Sequence, residues 1–379
     1  MENKLITRQI LPKIEEKLFK GKIVIIYGAR QTGKTTLVKQ IMSKYAGQAS
    51  YFNCDEPDVR SALENKTSTE LKNFLGDKRI IILDEAQRVR NIGLTLKLLV
   101  DNFPAMQIIA TGSSSFELAN EVVEPLTGRK YEFWLYPFSL VELKEIYSNL
   151  EIDRLLEQRI VFGMYPEIVL SPAQEAAEKI KSLVRSYLYK DILIFDKIRN
   201  SESLDKLLRA LALQIGQEVS YNELADMVGV SKNTIQNYIQ ILEKAFIVFR
   251  VNPFSGNVRN ELKKMRKIYF YDTGIRNALI NNLNPLNLRQ DTGALWENFI
   301  ISERLKFNSN LGREVNMYFW RARGSGEIDY LEEVSGNLSA FEIKWRKSKF
   351  IWPKMFRENY PEASLKLVYR ENYQEFVGL

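Results

Sequence analysis

Two sets of residues have the types and spacing to do chemistry. In the first, Gly28 is followed after four residues by Gly33, Lys34 and Thr35, within IVIIYGARQTGKTT at residues 23–36. A β-branched run feeds straight into these glycines, which is the strand-loop-helix context that a phosphate-binding loop requires. Backbone amides of such a loop curl around phosphate oxygens at a helix N-terminus, the lysine reaches the β and γ phosphates, and the threonine hydroxyl ligates magnesium. Gly28, Arg30, Gln31, Thr32, Gly33, Lys34, Thr35 and Thr36 form the expected ATP-binding set. In the second, YFWRARGSGEIDYLEEVSGNLSAFEIKW places Asp329 thirteen residues before Glu342, with Lys344 two further on. Carboxylates in that pattern ligate magnesium with its water, and the lysine orients or activates the hydroxide that attacks phosphorus.

Supporting motifs surround the first set. RIIILDEAQ puts Asp84 and Glu85 at the C-terminal end of an apolar strand, the edge on which open α/β sheets bind ligands. Asp84 is placed to hold magnesium, and Glu85 to polarise the attacking water; an acid at that position also suits a helix start. MQIIATGSSS is a further strand, whose end offers Thr111 or Ser113 as a sensor of the γ phosphate, or an ordinary Thr-Gly-Ser turn. In LTGRKYEFWLYPFS, Arg129 precedes a strand expected over 131–136. An arginine so placed can neutralise transition-state charge on a neighbouring copy's nucleotide, the plain alternative being a surface arginine.

These features together resemble an AAA+ type ATPase over residues 1 to about 140. More narrowly, GARQTGKTTL, ILDEAQRV, TGSSS, LTGRKYEF, LYPFSLVE and FGMYPE resemble a bacterial and archaeal family of predicted AAA-type ATPases whose C-terminal half is a domain of unknown function. The resemblance covers nearly the whole chain and implies ATP and Mg2+ as cofactors. It departs at FGMYPE, where the family has a Gly-Gly pair and Met164 stands second.

The elements that must position the second set follow. Helical periodicity runs over 141–216, including AAEKIKSLVRSYLYKDIL, and suits a lid or connector; there Arg185 either approaches nucleotide or sits on a wet face. Residues 217–272 read as a winged helix-turn-helix. Ser220 caps one helix, Gly229 ends it, Ser231 caps the next, and Ile235, Tyr238, Ile239 and Leu242 form a core stripe. Its solvent face would offer Lys232, Asn233, Thr234, Gln236, Asn237 and Gln240, to DNA or to protein.

Over 273–379, GALWENFIISERLKF is a helix with Glu297 at the edge of its apolar stripe, available as a further metal ligand. If Gly336 and Asn337 are the central turn residues of the hairpin, Asp329 falls opposite Lys344 and Glu342 opposite Leu331. An acid followed by an acid-x-Lys pair resembles the restriction-endonuclease-like nuclease core. Arg321, Arg323, Arg346, Lys347 and Lys349, with Trp320, Trp345 and Trp352, could follow a phosphate backbone, or the aromatics could be core.

Composition bounds the rest. The chain has 379 residues, no histidine and one cysteine, so it has no intrachain disulfide, and histidine-based catalysis and the usual zinc sites are excluded. The net charge of +7 divides as +3, −1 and +5 over residues 1–150, 151–250 and 251–379, so the basic end is C-terminal. Neither a signal peptide nor an apolar run long enough to span a bilayer stands out, so the expected location is cytoplasmic. The expectation is therefore an α/β chain in four parts: a P-loop ATPase core over 1–140, a helical lid over 141–216, a winged helix over 217–272 and a nuclease-like α/β domain over 273–379. DNA, including branched DNA, and further copies of the chain are the expected partners.

Overall fold

The structure is a computed structural model that describes residues 5–112, 126–193, 201–254, 266–322, 324 and 326–379, with side chains for all of these except 187–193. Ser113 and Arg323 lie outside the described residues. The chain gathers into two compact units, one of Met1–Pro137 with the short stretch Lys244–Phe246, the other of Phe138–Glu243 and Ile247–Leu379.

The first unit is built on five parallel strands: β1 (Ile23–Tyr27), β2 (Ala49–Asn53), β3 (Ile80–Asp84), β4 (Gln107–Gly112) and β5 (Lys130–Trp134). Their order across the sheet is β2-β3-β4-β1-β5. Every residue of β1, β3 and β4 is buried. Such strands read as unbroken apolar runs because helices cover both faces of a parallel sheet. Parallel pairing also brings all strand C-termini to one edge, so Gly28 follows β1 where Asp84 ends β3 and Gly112 ends β4. Because β4 lies between the other two, its Thr111 is carried to the gap between the glycine-rich loop and Asp84.

In the second unit the helices Asn149–Phe162, Ala173–Leu193, Ser201–Leu213, Tyr221–Val228, Lys232–Lys244, Thr273–Leu279 and Thr292–Asn310 pack with seven strands. These are β6 (Glu218–Val219), β7 (Val248–Pro253), β8 (Arg266–Phe270), β9 (Asn316–Ala322), β10 (Gly326–Val334), β11 (Asn337–Ile343) and β12 (Ser364–Val368), in the order β12-β11-β10-β9-β7-β8-β6. The segments 217–272 and 273–379 are thus joined through one sheet, since β7 pairs in parallel with β9, Asn252 opposite Tyr318.

Local chemistry explains the turn into the Lys232–Lys244 helix. Ser220 accepts from the Glu223 amide, Gly229 adopts φ 78° as the C-cap, and Ser231 accepts from the Thr234 amide at 3.1 Å. Ile235, Tyr238, Ile239 and Leu242 are buried, while Lys232, Asn233, Asn237 and Gln240 are exposed. At 163–164, Met164 is outside the positive-φ set, whereas Gly163 has φ 85° and a Cβ there would come within 2.0 Å of Asp272. Its neighbour's amide donates to Asp272 at 2.7 Å. The glycine is required at the first position of that turn, and the second tolerates Met164.

The hairpin turn is Ser335–Gly336, one position earlier than Gly336–Asn337, because Val334 pairs with Asn337 and Leu331 with Ala340. Ser335 and Gly336 have φ 51° and 84°, the two positive angles of a turn that matches the twist of the flanking strands, and the Gly336 amide donates to Glu333 at 2.7 Å. The register therefore moves by two residues, placing Asp329 level with Glu342 instead of Lys344. An even slip leaves Glu342 and Lys344 on their expected face, whereas an irregularity between Ile328 and Leu331 turns Ile328 onto the face of Leu331 and Ala340.

Candidate functional site

At the glycine-rich loop, close packing demands glycine: a Cβ on Gly28 would lie 2.3 Å from the Leu135 carbonyl oxygen, and Gly33 has φ 95°. Lys34 is buried and folds back over the loop, donating to the carbonyls of Gly28 and Ala29 at 2.8 and 2.9 Å. Thr32 donates to Ala29 at 2.8 Å. Beneath the loop, Asp84 accepts on Oδ2 from the hydroxyls of Thr35 at 2.7 Å and Tyr51 at 2.6 Å, and on Oδ1 from Thr111. Burial and the Asp84 carboxylate push the Tyr51 phenol well above its ordinary range, so it stays a donor.

Glu85 follows with φ 54°, a left-handed conformation uncommon outside glycine, fastened by its amide to the Thr111 hydroxyl at 3.1 Å. Gln87 donates to its carboxylate at 2.5 Å. Arg8, Tyr51 and Gln87 went unnoticed in the sequence. Arg8 is 5% exposed and ties the loop to the end of the sheet, donating to the carbonyls of Thr32 and Tyr136, each at 2.6 Å. Its sequence signal is slight, a cation between the apolar pairs Leu5-Ile6 and Ile10-Leu11.

Arg129 stands elsewhere. Lys130 pairs with Ile23, so Arg129 sits at the N-terminal edge of the sheet, about 16 Å along five strand residues from the loop that follows Tyr27. There it donates to Asp101 at 2.7 Å.

The residues fit a magnesium nucleotide. The Thr35 hydroxyl and Asp84, the two groups expected to share the ion, are in contact, and the loop that precedes them turns through Gly33 in a left-handed conformation.

In the second unit the expected acids do meet. β10 carries a bulge against β9: Ile328 pairs with Trp320 and Leu331 with Tyr318, two intervening residues facing one. Asp329 lies in the bulge, which re-aims its side chain, and its Oδ2 accepts from the Ile343 amide at 3.0 Å. Lys344 contacts Glu342 Oε1 and lies 3.6 Å from Asp329 Oδ2. Pairing with β12, absent from the sequence reading, makes β11 an interior strand, so Glu342 is only 3% exposed. Burial and the Asp329 charge push its carboxyl up to about 7, against Lys344, and its buried Oε2 has no hydrogen-bond partner among the described residues.

Glu297 arrives from a helix buried nearly all round. It accepts from Tyr269 at 2.6 Å and from Lys267 at 3.1 Å. Burial and Asp329 push it up to about 7 as well, with Lys267 opposing. Among the described residues no three carboxylate or cysteine side chains converge so as to hold a metal; Asp329 and Glu342 form a pair, and Lys267 separates them from the remaining acids. The flanking aromatics are mainly packing. Trp320 is buried edge-on to Phe356, and Trp345 packs edge-on to Trp296. Arg346, Lys347 and Lys349 are exposed; Arg321 reaches Glu218 and Glu327 at 3.5 and 3.8 Å.

Fold and loop geometry define the first unit as an AAA-type ATPase domain, and residues 20–144 match the family model described as an AAA domain. Residues 153–286 and 292–375 match two domains of unknown function, DUF8612 and DUF4143. Among solved structures, the Walker-type ATPase PABY2304 of Pyrococcus abyssi superposes with a TM-score of 0.52 at 15% identity, covering 74% of this chain and 97% of that one. Several similar proteins carry the name uncharacterized protein. One from Mycobacterium tuberculosis is 27% identical over 341 residues, covering 89% of this chain and 73% of the relative. Another, from Methanocaldococcus jannaschii, is 29% identical over 323 residues, covering 74% and 67%. A third, from Haemophilus influenzae, is 25% identical over 379 residues, covering 94% and 88%. No helix among the described residues is long and apolar enough to cross a membrane.

Proposed function

We propose that this chain is an ATP-hydrolysing DNA-processing protein, in which the AAA-type domain turns over MgATP and the C-terminal acid-lysine site cuts phosphodiesters, branched or otherwise unusual DNA being the favoured substrate. The observation that carries the second half is the meeting of Asp329, Glu342 and Lys344 at a bulge, with a buried Glu342 oxygen that accepts from no donor among the described residues.

In the ATPase, Lys34 leaves its loop carbonyls to hold the β and γ phosphates, Thr35 and Asp84 would hold magnesium, and Glu85, steadied by Gln87, takes the proton of the water attacking the γ phosphorus. Arg129 acts on the nucleotide of a neighbouring copy, a role favoured by its place at the sheet edge away from its own loop. In the C-terminal site Asp329 and Glu342 would hold magnesium, which supplies Lewis acidity and a water of lowered pKa. Lys344 orients that water toward phosphorus and offsets the charge that develops on the phosphate oxygens. The helix-turn-helix over 220–244, read as part of a winged helix, presents Lys232, Asn233, Asn237 and Gln240 to the duplex.

Purified protein incubated with Mg2+ and linear, flapped and four-way DNA should cut at least one of them, and Glu342→Ala or Lys344→Ala should abolish cutting while Lys34→Ala separately abolishes ATP turnover. Absence of cutting, together with a DNA-stimulated ATPase indifferent to Glu342→Ala, refutes the nuclease. A regulatory ATP switch that binds partners, or DNA, through an inactive nuclease-like domain is the second reading. It is favoured by the single cation, Lys232, on the exposed face of its helix. Under that reading Lys34→Ala changes partner binding and no DNA is cut.

A further inference from the structure

We propose that Ile351 is a wedge that enters an interrupted base stack, so that the second unit grips DNA at a nick, flap or branch point while the cations around Ile351 hold the flanking phosphates. The inference rests on the reading of this unit as one that binds DNA, and is independent of whether the acid-lysine site cuts.

Ile351 lies in the irregular stretch between β11 and the helix Lys354–Asn359, and at 88% exposure it is the most exposed large apolar side chain among the described residues. A single exposed aliphatic is ordinary on a protein surface. This one is held out by its neighbours. Phe350 lies with its ring centroid 5.7 Å from the Lys344 ammonium and packs edge-on against Trp352 at 5.1 Å. Trp352 in turn packs on the core around Trp320 and Phe356. Pro353 is buried beside Gly326 at the start of β10, where a Cβ would come within 3.1 Å of the proline ring. The residues on both sides of Ile351 are fastened inward, and its aliphatic tip is left in solvent.

Charge chooses the occupant. Arg346, Lys347, Lys349, Lys354 and Arg357 are all exposed, and residues 346–357 contain no acid, in a chain whose net charge is +7. Five cations within twelve residues fit a polyanion, and an apolar tip among them fits one with an apolar interior, the stacked bases of DNA. A lipid surface is the poorer match, because a loop that enters a bilayer interface presents its Trp and Phe outward, whereas Phe350 and Trp352 are engaged with Lys344 and the core. Branched aliphatic side chains open a base step from the groove at the cost of unstacking it. That cost is least where the stack is already interrupted. The wedge therefore favours discontinuous DNA over linear duplex, and the contact of Phe350 with Lys344 sets the opened step beside the acid-lysine site.

The test is binding of the full chain, with EDTA and without nucleotide, to a four-way junction and to linear duplex, each carrying 2-aminopurine at the position of the branch. Emission should rise at the branch with the unaltered chain and not with Ile351→Ala, whose preference for the junction over linear duplex should fall by about tenfold, the worth of one buried aliphatic. Ile351→Leu should keep both. Lys347→Ala combined with Lys349→Ala should instead weaken binding to both DNAs alike and reduce the slope of log affinity against log salt by about two. At 88% exposure the alanine at 351 leaves no cavity behind, so a lost signal reports the loop and not unfolding. Ile351→Ala equal to the unaltered chain in emission and junction preference, with DNA still bound, overturns the wedge and leaves the DNA reading intact. Binding to phosphatidylserine vesicles that Ile351→Ala loses, with no change in emission on DNA, assigns the loop to a lipid surface and also overturns the wedge. Failure of the unaltered chain to bind either DNA overturns the DNA reading itself.

Discussion

Glu85 is held in a left-handed conformation by its neighbours, its amide on Thr111 and its carboxylate on Gln87. Strain of about 1–3 kcal/mol at such a residue persists only where the surroundings over-determine it. That rigidity suits a base that must meet one water at one angle. Glu85→Gln keeps the side chain's shape and its place beside Gln87 but removes the proton acceptor. ATP affinity should therefore stay within a few-fold of that of the unaltered chain, while single-turnover phosphate release slows by about 10²–10⁴-fold. Equal slowing of release and loss of affinity would assign Glu85 to binding instead of catalysis.

At the scale of elements, the helix Thr292–Asn310 brings Glu297 to the acid cluster, and its start is anchored by Asp291. That carboxylate accepts from Arg289 at 2.8 Å and also bonds Arg276, a guanidinium 2% exposed that donates to the Ala212 carbonyl at 2.7 Å. Burial pushes the Asp291 carboxyl up, but the hydrogen bonds from Arg289 and Arg276 outweigh it and hold the group at about 2. A folded-state value below the unfolded one means stability that is full above about pH 4 and is lost as pH falls toward 2. With a side chain 26% exposed, and allowing for solvent screening, the contribution is about 1–2 kcal/mol. Asp291→Asn should lower the melting temperature at pH 7, and the gap should narrow between pH 4 and pH 2. A constant gap would mean that the loss is one of packing.

At the scale of the whole molecule, Arg129 lies at the wrong edge of its sheet to touch its own nucleotide. If copies assemble so that this edge faces a neighbour's loop, one copy supplies the loop and another the arginine. Lys34→Ala and Arg129→Ala, each inactive alone by about 10²-fold or more, should then recover measurable ATP turnover when mixed. No recovery at concentrations where the copies associate would leave Arg129 as the surface partner of Asp101.

The amino-acid sequence by itself determined the nucleotide loop, the strand that ends in Asp84 with Glu85 just after it, and the helix-turn-helix. Each of these is local: apolar runs of strand length, glycines that backbone geometry demands at Gly28 and Gly33, and caps at Ser220 and Ser231. It also determined which charges share a face in the hairpin, because a slip of two residues leaves alternation unchanged. Tertiary structure alone decided the rest. Whether the charged face is wet depends on β12, a parallel strand reached by a crossover, and on the bulge at Asp329, neither of which leaves a periodic trace. The support of Asp84 by Tyr51, of the loop by Arg8, and of Glu297 by Lys267 joins residues 24 to 33 positions apart or more. Burial made each of those contacts worth forming, and burial is a property of the assembled sheet that no single segment carries.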